Sequence, residues 1–277
     1  MASLEQSIAL HEQAPQPDLL SDVGRRLGRA VARSWILLLV AAIWETAPRV
    51  GLVEAAFLPP LSEVLETGWQ LLRNGQLLSH IKASLSRSLL GFSLAILIGV
   101  PLGLAIGWYK AVADAINPLL EVLRNTAALA LLPVFLLLLG IGEASKVALV
   151  IYSCTWPILL NTISGVRGVD PLLIKSARTM GLSPLQLFRK VILPAAVPTV
   201  FVGIRLAGAY SLLVLVAAEM IGAKAGLGYL IIYAQYNFQI PSMYVGIVTI
   251  TALGLTFNQL LMRLEQRFTA WKVAPKE

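Results

Sequence analysis

The chain has 277 residues, 57% of them hydrophobic and 13% charged, with a formal net charge of +7. Its mean hydropathy is +0.76. A soluble domain has roughly a quarter of its residues charged, so this chain has too little polar surface to cover a water-soluble globule of its size. A bilayer removes the conflict, because lipid accepts an apolar exterior. The single cysteine, Cys154, excludes an intramolecular disulfide framework and a four-cysteine zinc site, and it reads as a small packing residue in an apolar run.

Residues 1–33 carry Glu5, Glu12, Asp18 and Asp22 ahead of the cluster Arg25, Arg26, Arg29 and Arg33. That order is the reverse of a secretory signal, so the segment reads as a cytoplasmic tail followed by a basic helix on the membrane surface. A membrane-spanning domain over 34–267 follows. Its six helical spans are expected at about 34–53, 86–109, 118–141, 146–166, 197–221 and 244–263, since a span needs about 20 mostly apolar residues. The fold class is therefore an all-α polytopic membrane protein. Residues 54–83 connect the first two spans on the outer side, with an amphipathic helix from Ser62 to Arg73 closed by Asn74-Gly75. Residues 268–277 form a C-terminal tail.

Lys and Arg placement gives the orientation. With the N-terminus inside, the inner side receives the four arginines of 25–33, Lys110, the five basic residues from Arg167 to Lys190 and the four from Arg263 to Lys276. The outer side receives Arg49, Arg73, Lys82, Arg87, Lys146 and Lys224. The excess inside places both termini in the cytoplasm. It also reads the basic charge as a topology signal rather than a nucleic-acid surface.

Within the second span, Gly99, Gly103 and Gly107 recur at every fourth position and make a flat strip for another helix. Pro101 lies between them in the chain and is expected to kink the helix. Ionisable residues in or beside spans are costly and face protein or water. Glu45, Arg87, Arg124, Arg205 and Glu219 are of this kind. Arg87 and Arg124 read equally as headgroup anchors or as parts of an anion path, where Asn125 and Thr126 add neutral donors. Arg205 and Glu219 lie fourteen positions apart on one helix, too far to pair, so each needs another partner or an aqueous cavity, and both join Arg87, Arg124, Asn125 and Thr126 as candidates for the translocation path. No Gly-Lys dipeptide occurs, which excludes a Walker A loop. Neither H-E-x-x-H nor G-x-S-x-G occurs. No catalytic residue and no metal ligand is assigned.

The segment 170–194 differs from everything around it. Asp170-Pro171 is a helix start, Gly181 suits the left-handed position past a helix end, and Ser183-Pro184 repeats the start signal. Leu172, Leu173, Ile174, Leu182 and Leu185 sit in a region too charged to insert in lipid, so they need a protein surface. Leu182 is placed to pack back on the first helix.

This segment resembles the EAA loop of bacterial ABC importer permeases, E-A-A-x3-G-x9-I-x-L-P. Ser176 and Ala177 match the small positions, Gly181 the glycine, Val191 the isoleucine, and Leu193-Pro194 the final pair. Lys175 stands where the motif has Glu. The stretches FLPPLSEVL (57–65), LLPVFLLLLGIGEASKVAL (131–149), VILPAAVPTVFVGIRLA (191–207) and AAEMIGAKAGLGYLI (217–231) are similar to the branch that imports nitrate, bicarbonate, taurine and aliphatic sulfonates. The resemblance implies a type I importer of MetI-like architecture in the bacterial inner membrane. It implies a homodimer of this chain, two ABC ATPase subunits coupled through Leu172, Leu173, Lys175, Ser176, Ala177, Arg178, Gly181, Leu182, Leu193 and Pro194, and a periplasmic substrate-binding protein. It also implies that this chain binds no cofactor, ATP and Mg belonging to the ATPase. A self-sufficient secondary transporter or channel for small anions is the alternative. It would require a coupling site of its own, and the two halves of the chain show no convincing repeat.

Overall fold

The computed structural model describes residues 35–269. The expected tail and surface helix of 1–33, and residues 270–277 of the C-terminal tail, lie outside the described residues. No β-strand occurs among the described residues. The chain divides into one unit ending at Glu63 and a second beginning at Val64.

In the first unit, α1 is described over residues 35–49 and the chain turns at 50–53. Both ionisable groups of the expected first span have local work. The Glu45 carboxylate accepts from the Ser62 backbone N–H and hydroxyl, each at 2.9 Å, and so caps the helix that starts beside it. Arg49 lies 2.5 Å from Glu45, one helical turn along. Trp44 Nε1 donates to the Pro59 carbonyl at 3.1 Å. The next helix, α2 (Leu61–Arg73), ends where the sequence marks its stop, and Gly75 takes a φ of +76°.

The second unit is organised around three long helices: α3 (Gln76–Trp108), α6 (Glu143–Arg167) and α9 (Leu193–Met220). The glycine strip decides how the first two meet. A Cβ on Gly91 would lie 2.7 Å from Val150, on Gly99 3.0 Å from Ile158, on Gly103 2.6 Å from Thr162 and on Gly107 2.7 Å from Val166. These contacts advance together, so α3 and α6 run parallel over about 24 Å, at 1.5 Å per residue. Ala95 and Cys154, both fully buried, fill the remaining rung. Gly203 on α9 meets Pro157 and Asn161 on α6, while Gly165 meets Ala196 and Thr199. This order is reversed, so α6 and α9 are antiparallel.

Because α3 and α6 are parallel, the chain between them has to return across the same thickness. It does so in pieces: α4 (Lys110–Arg124), a 3-10 turn (Ala128–Leu131) and α5 (Leu132–Leu139). The two helical pieces meet at 85°. This corrects the expectation of one helix over 118–141. The uncharged run hides a break at which Asn125 Nδ2 donates to the Glu121 carbonyl and Thr126 Oγ1 to the Val122 carbonyl, ending α4, before Pro133 starts the next helix.

Beyond α6 come α7 (Pro171–Thr179), α8 (Pro184–Leu187) and a π turn (Phe188–Ile192) leading into α9. The helix that starts at Pro184 runs on without a break to Met220. Pro194 has no N–H for the Lys190 carbonyl, and the wider π turn just ahead absorbs that missing bond. Two more helices, α10 (Leu227–Tyr236) and α11 (Ile240–Phe268), complete the unit. α11 packs antiparallel on α9 through Phe201 stacked on Phe268, Arg205 Nη1 3.2 Å from Glu265, and Gly208 against Leu261. Among the described residues, four helices are long and apolar enough to cross a membrane: α3, α6, Pro184–Met220 and α11. The bent α4–α5 pair makes up to five.

Candidate functional site

Three regions gather the chemistry-bearing residues. The first is the helix–turn–helix of 170–194. The Asp170 carboxylate accepts from Leu172 N at 2.7 Å, capping α7. Gly181 has a φ of +78°, and Leu182 N donates to the Ala177 carbonyl at 3.2 Å, which closes the turn. Ser183 and Gln186 form a reciprocal capping box at α8. The five apolar residues of this segment divide. Ile174 and Leu182 pack against the chain's own cluster of Val166, Val169, Ala177, Leu187, Ile192 and Ala196. Leu172, Leu173 and Leu185 stay exposed, joined by Met180, at 76% exposure the most open residue of the patch. Lys175, Ser176 and Arg178 are exposed beside them, while Leu193 and Pro194 are half-buried at the start of α9. The segment is thus a rigid bracket with one apolar face turned outward and basic residues around it. The α3 and α6 C-termini and the α9 N-terminus, in register through the contacts above, put this bracket at the same end of the bundle as Phe268.

The second region is a buried charge cluster at the opposite end. The Arg87 guanidinium, 6% exposed, lies 2.6 Å from the fully buried Glu219 carboxylate. It also pairs with Glu143 at the start of α6 and donates to the Ala225 carbonyl at 2.6 Å. Glu219 accepts further from Ser84 Oγ and from Gly228 N. Leu227 N donates to Ser84 Oγ, and Gly226 N to His80 Nδ1. The loop between α9 and α10 is therefore wrapped around one carboxylate. Gly226 and Gly228 are required there, since a Cβ on Gly228 would lie 2.8 Å from Glu219 Cβ and one on Gly226 would enter its carboxyl group. Lys146, 2% exposed, donates to the Gly142 carbonyl at 2.8 Å. Sequence reasoning missed Glu143, Lys146 and Ser84. The glycines after Glu219 in AAEMIGAKAGLG were the available signal for a loop closed on that residue.

The third region lies along α6. A cavity of about 480 Å³ is lined by Arg124, Thr126, Leu129, Ser153, Trp156 and Tyr210, with further apolar residues. A second, of about 310 Å³, is lined by Asn117, Glu121, Arg124, Leu160, Ile163 and Arg167. Arg124 and Leu160 border both. Arg124 is half-exposed and only 3.8 Å from Glu121, a long contact for an ion pair. Of the residues singled out for a path, the structure puts Arg124 and Thr126 in one place. Asn125 spends its amide on the helix end. Arg87 and Glu219 pair with each other, and Arg205 pairs with Glu265.

A family described as "binding-protein-dependent transport system inner membrane component" matches residues 79–270. A probable ABC transporter permease of Brucella abortus is 38% identical over 218 residues, covering 79% of this chain and 87% of its own. The putative aliphatic sulfonates transport permease SsuC of Bacillus subtilis is 34% identical, covering 84% of each chain. The taurine transport system permease TauC of Escherichia coli is 32% identical, covering 85% of this chain and 87% of its own. Among solved structures, the fold is similar to an inward-facing MetNI methionine ABC transporter, with a TM-score of 0.63 at 19% identity over 70% of this chain and 96% of that one.

Proposed function

The chain belongs to the family of binding-protein-dependent transport system inner membrane components, and from that premise we propose that it is the membrane-spanning permease subunit of an ATP-driven importer of small oxyanions. Taurine and aliphatic sulfonates stand first among the substrates, nitrate and bicarbonate next. The single observation that carries this reading is the likeness, along most of both chains, to permeases named for sulfonate and taurine transport.

In this reading two copies of the chain form the pore, with six spans each and both termini in the cytoplasm. Two ABC ATPase subunits bind the exposed face of Leu172, Leu173, Met180 and Leu185, and a periplasmic binding protein delivers substrate at the other end. The bracket suits the task. Its inner side is packed into the bundle through Ala177 and Leu187, so force applied to its outer side moves α6 and α9 instead of bending a loop. ATP-driven closure of the ATPases draws the two brackets together and switches the path between its two faces.

The test is uptake of labelled taurine, butanesulfonate, nitrate and bicarbonate by cells lacking the gene. Loss of sulfonate uptake, restored by the gene on a plasmid, is expected. Unchanged uptake of all four, with loss of a cation or neutral nutrient instead, overturns the substrate assignment.

A further inference from the structure

Of the residues that α6 presents to the two cavities, Pro157 lies beside a run of five: Ser153, Trp156, Leu160, Ile163 and Arg167. Their spacing alternates three and four, so they form one stripe about 21 Å long on one face of the helix. The upper cavity is walled mainly by apolar groups, among them Leu160 and Leu213, with the Arg124 guanidinium at its edge. The lower cavity is more polar, with Arg124 at one end and Arg167 at the other. Arg167 spends one contact on the Ile106 carbonyl, a long one at 3.4 Å. The Trp156 ring borders the upper cavity. Trp156 Nε1 is buried and has no hydrogen-bond partner among the described residues, and such orphans are uncommon in native interiors.

Resting on the reading of this chain as an oxyanion permease, we propose that each subunit's substrate path follows this α6 stripe. Arg124 holds the anion at the junction of the two cavities and Arg167 receives it below. The path favours an anion with a short apolar tail over a bare inorganic ion. Arginine keeps its charge throughout and offers paired N–H groups to the oxygens of a sulfonate. The loosely held Glu121 carboxylate is displaced as substrate arrives and reclaims Arg124 as it leaves. The tail lies against Leu160 and Leu213, where each methylene removed from water raises occupancy about fourfold.

Thiol labelling in inside-out membrane vesicles tests this without requiring the ATPase or the binding protein. The full chain carries Cys154→Ser and one new cysteine, Leu160→Cys or Ile163→Cys. The probes are 2-sulfonatoethyl methanethiosulfonate, itself a short alkanesulfonate, and its trimethylammonium counterpart. Each labelling rate is divided by that of the same reagent with a free thiol. The anionic probe is expected to be favoured roughly tenfold at both positions, through the positive potential of Arg124 and Arg167. At Leu160→Cys, Arg124→Gln reduces the preference severalfold and Arg124→Lys keeps it. Butanesulfonate slows labelling at Leu160→Cys, and equimolar nitrate does not. Equal or cation-favoured labelling, or a preference at Leu160→Cys that Arg124→Gln leaves undiminished, overturns the path. Equal protection by nitrate overturns the preference for a tail. Either failure leaves the uptake test of the proposed function standing, whereas a gene whose loss spares all anion uptake removes both.

Discussion

Arg87 and Glu219 are 132 positions apart in the chain, yet the guanidinium of one donates to the carboxylate of the other at 2.6 Å with both side chains out of solvent. The pair joins α3 to the end of α9, and through Glu143 and the Ala225 carbonyl it also holds the start of α6 and the following loop. A charge in this position is tolerable only when paired and hydrogen-bonded.

Removing one partner is therefore expected to hurt more than removing both. Arg87→Met alone is expected to cost about 3–5 kcal/mol by leaving the buried Glu219 carboxylate uncompensated, and Glu219→Leu alone to cost less, since Arg87 keeps Glu143. The double variant is expected to recover a substantial part of that loss. Thermal denaturation of the detergent-solubilised protein reads the three variants. Additive losses would show that the pair is not a unit.

Helix approach along the glycine strip is the second target. A Cβ on Gly103 falls 2.6 Å from Thr162 Cβ, which belongs to a stiff residue on a packed helix, while a Cβ on Gly68 meets Val245 at an ordinary 3.5 Å. Gly103→Ala is expected to destabilise by about 1–3 kcal/mol, and Gly68→Ala to stay within about 0.5 kcal/mol of the parent. The same melting experiment compares them. Equal tolerance would contradict the α3–α6 register.

Gly181 poses a different question, because a Cβ there meets nothing within 4 Å. Only its φ of +78° makes substitution unfavourable. Gly181→Val is expected to strain the turn by about 1–3 kcal/mol and to reduce both ATPase capture and uptake, with Gly181→Asn milder. Normal capture and uptake by Gly181→Val would reject the bracket as the point of coupling.

The exposed face of that bracket gives a sharper separation of folding from function. Leu172 and Leu185 are 68% and 66% exposed. Replacing either with Asp is expected to leave stability within about 0.5 kcal/mol, since no core contact is lost. Co-purification of the ATPase is expected to fall severalfold. Retained capture by the double Leu172→Asp/Leu185→Asp variant would show that the partner binds elsewhere.

Much of this was legible in the chain because the signals are local. The Asp170 and Ser183 caps, the turn at Gly181 and the glycine strip each depend on residues within one or two turns. The charge cluster was not legible in the same way. Glu219 announces a cost but not which of several distant arginines meets it, and Arg87 read equally well as a headgroup anchor. The 85° break after Arg124 was hidden for another reason. Hydropathy sums over a window and ignores direction, so an uncharged run bent in the middle scores like a straight one. Asn125, Thr126 and Pro133 carried the signal, through side chains that end one helix and a ring that starts the next. The cavity-lining residues of α6 were missed because a stripe of Ser, Trp, Leu and Ile at helical spacing looks like ordinary packing until the facing helix bends away.

The most direct test of the central claim uses the complex as it occurs in the membrane. The chain is purified with whatever ATPase it carries, reconstituted in liposomes, and supplied with labelled taurine or butanesulfonate and a periplasmic binding protein that binds the same sulfonate. The account predicts accumulation only when ATP is present on the ATPase side, and none by the permease alone. Accumulation driven by an ion gradient through the permease alone, indifferent to ATP, would contradict it.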